Sequence, residues 1–255
     1  MRVGTDVGGV GRLGPVPARR RGHQRRWAGG LTLLVGVLIL WLALPRLVAS
    51  ALLAARDPVI ERMVAGERMA AAELLGLLAS RALALGWVED RDTHNERGTA
   101  LTSLAFEQPE SAARTALLER AAGAIRAGLA VAPADPKDWM QLGYLLVLLE
   151  GDITPEAARA FLFSIRTGGF AAPDFLHRRL FWTLAHWTFY DEEERRQIRD
   201  QIRLAWRAAP GVLADVALYR PEFLGPIASA LEEVPAAEQR FLAAIAFATP
   251  LSAAP

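Results

Sequence analysis

Residues 89–96, EDRDTHNE, gather four carboxylates around His94. These are the side chains that coordinate divalent cations. A calcium-binding loop begun at Asp90 would need glycine at its sixth position, where the chain has Asn95. A zinc pair on one helix face needs two histidines four residues apart, and His177 and His186 are nine apart. The run therefore reads as a solvated polar connector, with no metal site. No serine-nucleophile elbow and no phosphate-cradling glycine loop occurs. GVGRLG at 9–14 imitates part of a dinucleotide fingerprint, but no strand precedes it. Cysteine is absent, which removes disulfides, thiolate ligands and a cysteine nucleophile. The expectation is a protein with no catalytic residue, no cofactor and no bound metal, acting by holding partners.

DEEERRQIRDQIRLAWR (191–207) carries the densest charge. Asp191 suits a helix cap, and acids then arginines follow the helix dipole. Glu192 and Arg196 are spaced as an i,i+4 pair. Ile198, Ile202 and Trp206 mark the inward stripe. Arg195, Arg199, Arg203 and Arg207 form a ridge that is either a solvated face or a contact for an anionic glycan or lipid head group.

The elements that would position such residues begin with a membrane segment. WAGGLTLLVGVLILWLALP (27–45) has no charged residue, and about 20 helical residues cross the ~30 Å of hydrocarbon. Residues 1–27 hold seven arginines against one aspartate, so a chain of net charge +1 carries −5 beyond them. That balance excludes the positive field of a nucleic-acid binder. Five of those arginines lie in 18–27, whereas only Arg46 and then Arg56 follow the apolar run. This predicts a cytoplasmic amino terminus and a periplasmic carboxy-terminal domain on a bacterial inner membrane. Residues 27–50 are expected to sit in the lipid bilayer as a retained transmembrane helix. A cleaved signal peptide, with Ala49-Ser50-Ala51 at the cut, is the rival reading. The leader, 1–26, is basic, glycine-rich and expected to be disordered.

Beyond the anchor the chain reads as all-α. Asp57-Pro58 starts a helix and Gly86 stops it, with Gly66 and Gly76 as points where it could break. Residues 88–98 read as the polar connector, and helix resumes from about Pro109 to Val131. No stretch alternates with a period of two, so no strands are expected. The organisation is helices over 57–101, a helical array over 102–212, and capping helices with a tail over 213–255.

The array is read from spacing. In APADPKDWMQLGYLL (132–146) a proline turn precedes Trp139, with Leu142 and Gly143 three and four residues on. Backwards in the same frame lie Pro133, Gly128, Ile125 and Ala121. A second frame starts at Trp182 and runs through Ala185, His186, Phe189, Ile198, Ile202, Ala205 and Pro210. These frames resemble the tetratricopeptide repeat, which has a period of about 34 residues. In that family small residues let paired helices approach, large ones fill the gap, and a proline closes the unit. His186 departs from the pattern, being large where the family is small. In the middle unit a two-residue slip puts Ala157, Phe161 and Ser164 in the second-helix places. TGGFAAPDF (167–175) is an extra loop, and the first unit shows no first-helix signature.

The resemblance also implies a concave partner groove lined by first-helix residues. These would be Lys137, Met140, Tyr144 and Val147 in one unit and Leu180, Thr183, Trp187 and Tyr190 in the next. Lys137, Tyr144, Trp187 and Tyr190 are the candidate contacts, with Trp187 and Tyr190 equally readable as packing against the capping helices. APADPKDW, FLHRRLFWTLAHW and LAWRAAPG look like segments of accessory proteins of bacterial exopolysaccharide biosynthesis and export. That likeness implies a scaffold among the inner-membrane and periplasmic proteins of an envelope assembly machine. A periplasmic chaperone or secretion-linked factor, and a cytochrome c maturation factor, are the alternatives.

Overall fold

The computed structural model of the chain describes residues 19–54, 57–168, 173–234 and 236–248. Among these there are helices and turns and no strand. Contacts divide the chain into two compact units, residues 1–47 and 48–255.

The first unit consists, in its described part, of the helix α1 (Arg19–Ala54), whose last turns belong to the second unit. From Gly29 to Ala54 it is long and apolar enough to cross a bilayer, with a mean hydropathy of 2.3 and none of that window buried. Its 26 residues rise ~39 Å. Residues 19–26, expected to be disordered, are helical, because a helix once nucleated extends at little cost through good formers such as arginine and glutamine. Residues 1–18 lie outside the described part.

The second unit continues with α2 (Asp57–Val64) and α3 (Ala71–Leu85). The helix read from Asp57 to Gly86 is thus broken in two, at Gly66, whose φ of +80° suits a residue without Cβ. Then come α4 (Arg91–Phe106), α5 (Ala112–Val131), α6 (Pro136–Glu150), α7 (Pro155–Thr167), α8 (Pro173–Ala185), α9 (Glu192–Ala208), α10 (Pro210–Tyr219), α11 (Leu224–Leu231) and α12 (Ala237–Ala248). Starts are capped by side chains: Asp90, Ser111, Asp135, Thr154 and Asp191 each accept from a backbone N–H of the first turn. Pro210 is the expected close of a repeat. It occupies the first turn of α10, where its missing N–H leaves no donor orphaned.

The polar connector is corrected too. Residues 91–98 are the first half of α4, capped when Asp90 accepts from Thr93 N at 2.8 Å.

Three apolar clusters run along the unit. Val59, Met69, Leu74, Leu77, Ala100 and Leu104 join α2, α3 and α4. Leu101, Leu118, Ala121, Ile125, Leu142, Leu145 and Phe161 join α4 to α7. Leu162, Leu180, Ile198, Ile202, Val216, Ile227, Leu231 and Phe241 join α7 to α12. Close helix contacts come at two glycines. A Cβ on Gly143 would stand 2.7 Å from a ring carbon of Phe161, so α6 and α7 approach through that glycine. A Cβ on Gly98 would stand 2.5 Å from Ile125 Cδ1, so α4 and α5 do the same. Ile125 and Phe161 are the large second-helix residues of the frame read from sequence. Gly98 lies before the array read over 102–212, so this contact falls outside the frame read from sequence.

Candidate functional site

α6 is held to α4 by a ladder of polar side chains. Arg91 donates to both oxygens of Asp138, at 2.7 and 2.9 Å, and Asp135 lies 2.6 Å from the same guanidinium. Asn95 donates to Asp138 and to Gln141, the latter at 3.0 Å. Gln141 then donates to Thr99 Oγ at 3.1 Å. Asp138 is wholly buried, and burial pushes its carboxyl above the usual carboxylate range against the opposing pull of Arg91. A buried carboxylate so surrounded fixes register more than it adds stability.

α8 is fixed to the end of α7 by Arg179, which has no exposed surface. Its guanidinium donates to Ser164 O at 3.0 Å and to Gly168 O, and lies 5.2 Å over the Phe175 ring. Burial pushes the Arg179 pKa down to about 10. Among the described residues, Nε and Nη2 of Arg179 have no hydrogen-bond partner.

Between α4, α6 and α8 a cleft of about 760 Å³ opens, lined by Thr99, Lys137, Met140, Gln141, Tyr144, Phe175, Arg178 and Trp182. Its floor is α6 and its walls are α4 and α8. Lys137 and Arg178 give it positive charge, and none of its described lining residues is acidic. Tyr144 and Trp182 meet at 5.7 Å between ring centroids. Behind them Trp182 stacks on Phe161, at 5.9 Å and 6°. The Tyr144 hydroxyl is raised by burial, partly offset by Arg114.

Of the candidate contacts, the structure brings Lys137 and Tyr144 together, with Met140 beside them. Trp187 and Tyr190 lie elsewhere, because α8 ends at Ala185 and a 3-10 turn, Trp187–Phe189, replaces its last turn. Tyr190 is a core residue: it is 3% exposed and its hydroxyl donates to Ala158 O at 3.0 Å. Trp187 is half-buried, under the Arg195 guanidinium and against the third cluster. Leu180 and Thr183 are buried. The same early end of α8 leaves Phe189 42% exposed instead of packed. Trp182, a packing residue in the repeat frame, both packs and lines the cleft.

The remaining repeat residues fall as follows. Ala121, Ile125, Gly128, Leu142, Gly143, Ile198, Ile202 and Ala205 are buried, as are Ala157, Phe161 and Ser164. Trp139 is half-buried, stacked on Phe163 at 4.8 Å, and its indole N–H donates to Pro133 O at 2.7 Å. Ala185 is half-buried, while Pro133 and Pro210 are exposed. His186 is buried edge-on to Phe161 at 5.0 Å, and its Nδ1 donates to Trp182 O at 2.7 Å.

The carboxylates around His94 disperse. Asp90 caps α4, Asp92 pairs with Arg91, Glu96 pairs with Arg81, and only Glu89 reaches the ring, at 2.6 Å. On α9 the ridge is engaged: Arg199 pairs with Glu192, and Arg203 with Asp200 and Glu233 at 2.7 Å each. Arg196 pairs with Glu193 at 2.6 Å, not with Glu192, which reaches Arg199 two turns on.

Comparison with protein-family models, with curated proteins and with solved structures finds no match for this chain.

Proposed function

We propose that the protein is a membrane-anchored, non-catalytic scaffold whose cleft between α4, α6 and α8 holds an extended segment of a partner protein. The carrying observation is the cleft itself: two cationic side chains and three aromatic rings on α6 and α8, both of which are locked in place by buried charge. Aromatic and arginine side chains of this kind anchor interfaces. A tetratricopeptide-like stacking of helix pairs is supported by the two glycine contacts and by first helices lining one cleft. The arginine-rich side of residues 27–50 supports a cytoplasmic amino terminus and a periplasmic domain. By the resemblance of 132–139, 175–187 and 204–211, the partner belongs to envelope or exopolysaccharide assembly.

The test is affinity capture of the tagged protein, crosslinked in its native membrane, beside Lys137→Glu and Tyr144→Ala variants. Specific recovery of a polysaccharide polymerase, flippase or export channel, lost in both variants, supports the reading. Recovery of many unfolded exported proteins, or of haem-attachment machinery, would replace it with one of the alternatives.

A further inference from the structure

α3 has an unusual outer face. Its polar side chains, Glu73, Ser80 and Arg81, all engage protein groups: Glu73 pairs with Arg62, and Ser80 donates to Leu52 O. Arg81, 1% exposed, donates to Leu53 O at 2.7 Å, to Asp57 at 3.0 Å and to Glu96 at 2.6 Å. The exposed positions are Ala71, Ala72, Leu75, Ala79, Ala82 and Leu83, followed by Trp87 just past the helix. Leu75, Leu83 and Trp87 are 58%, 60% and 51% exposed. A helix on the surface of a water-soluble domain puts charge on such a face. α9, in the same unit, does so with Glu193, Arg196 and Asp200.

The position of α3 says what covers it. Ser80 and Arg81 bond to the carbonyls of Leu52 and Leu53, the last turn of the apolar span that ends at Ala54. So α3 touches the segment that enters the bilayer, at its end. We infer that α3 is an interfacial helix, with Leu75, Ala79, Leu83 and Trp87 set into the head-group and upper acyl region of the lipid. Helices of this kind sit ~5–10 Å into the boundary, and tryptophan favours that depth. Arg81 supplies the rigidity: within the second unit one guanidinium ties the last turn of α1 to α2, α3 and α4. The inference rests on residues 29–54 lying in a bilayer.

The absence of cysteine makes every introduced thiol unique. The full chain is reconstituted singly in nanodiscs of phosphatidylethanolamine and phosphatidylglycerol, with a fluorophore on Leu75→Cys, Leu83→Cys, Leu38→Cys or Glu119→Cys. Leu38 reports on the anchor and Glu119 on the exposed side of α5. The expected result is that nitroxide-bearing lipid quenches the 75 and 83 sites several-fold more than the 119 site, with iodide doing the reverse. Lipid quenching at 38 but not at 75 or 83 overturns the inference alone. Shielding of 75 and 83 from both quenchers overturns it in favour of a protein cover. Iodide quenching at 38 overturns the anchor reading and this inference with it.

Discussion

Two glycine-to-alanine substitutions should have opposite signs. Gly143 lies in α6, where a new methyl would stand 2.7, 2.8 and 2.9 Å from three ring carbons of Phe161. That ring cannot slide easily, because Trp182 stacks on it and His186 meets it edge-on. Overpacking of this kind costs about 1–3 kcal/mol. The gain in helix propensity is ~1 kcal/mol, and with three contacts under 3.0 Å the cost falls in the upper part of its range, so Gly143→Ala should destabilise by up to roughly 2 kcal/mol. Gly123, in α5, has nothing within 4 Å of a built Cβ and is exposed. There only the propensity remains, and Gly123→Ala should stabilise by ~1 kcal/mol. At about 2–4 °C per kcal/mol for a domain of this size, Tm should fall by a few degrees in one and rise by a few in the other. Thermal unfolding of the full chain in detergent, followed by circular dichroism, reads both. A compensating Phe161→Leu should relieve part of the Gly143→Ala loss relative to Phe161→Leu alone. Equal stabilisation by both alanines would refute the close α6–α7 approach.

Other outcomes follow from buried charge. Arg81→Met keeps the apolar stem but leaves Glu96 without its cation, in a place where burial already raises that carboxyl. With both acids partly solvated, the loss should be about 2–3 kcal/mol, seen as a lower Tm, and Glu96→Gln added to it should restore part. His186 titrates below its ordinary value of 6.5 because burial disfavours the imidazolium, while its bond to Trp182 O opposes this. The unfolded chain then binds the proton first, so this group makes stability fall as pH drops below 6.5. His186→Asn, whose amide can still donate to Trp182 O, should flatten that part of the curve in parallel melts at acid and neutral pH. Asp138→Ala leaves the half-buried Arg91 with Asp135 and Asp92 alone, and should cost about 1–3 kcal/mol while loosening α6 from α4, read as faster amide exchange in both helices.

The all-helical class and the apolar span were legible because both rest on periodicity and length, which single sequences carry well. The start of α4 was not. Residues 91–98 look like a solvated linker because Arg91, Asn95 and Thr99 turn polar groups, not apolar ones, toward α6. Helical spacing shows only when the buried face is hydrophobic. Gly98 was missed because Ile125 lies much further along α5 than Phe161 does along α7, which puts Gly98 ahead of the repeat register. On the cleft, Lys137 and Tyr144 were found through helix register. Trp187 and Tyr190 were placed with them on the assumption that α8 runs as long as α6, and it stops at Ala185. Phe175 and Arg178 stand at the start of α8, beside the extra loop, where no repeat register applied.

A photo-crosslinking amino acid in place of Met140, on the cleft floor, tests the scaffold reading most directly. The account predicts one discrete adduct in the native membrane, lost when Lys137→Glu is added and absent when the probe sits at Glu119. No adduct, or the same adducts from both positions, would contradict it.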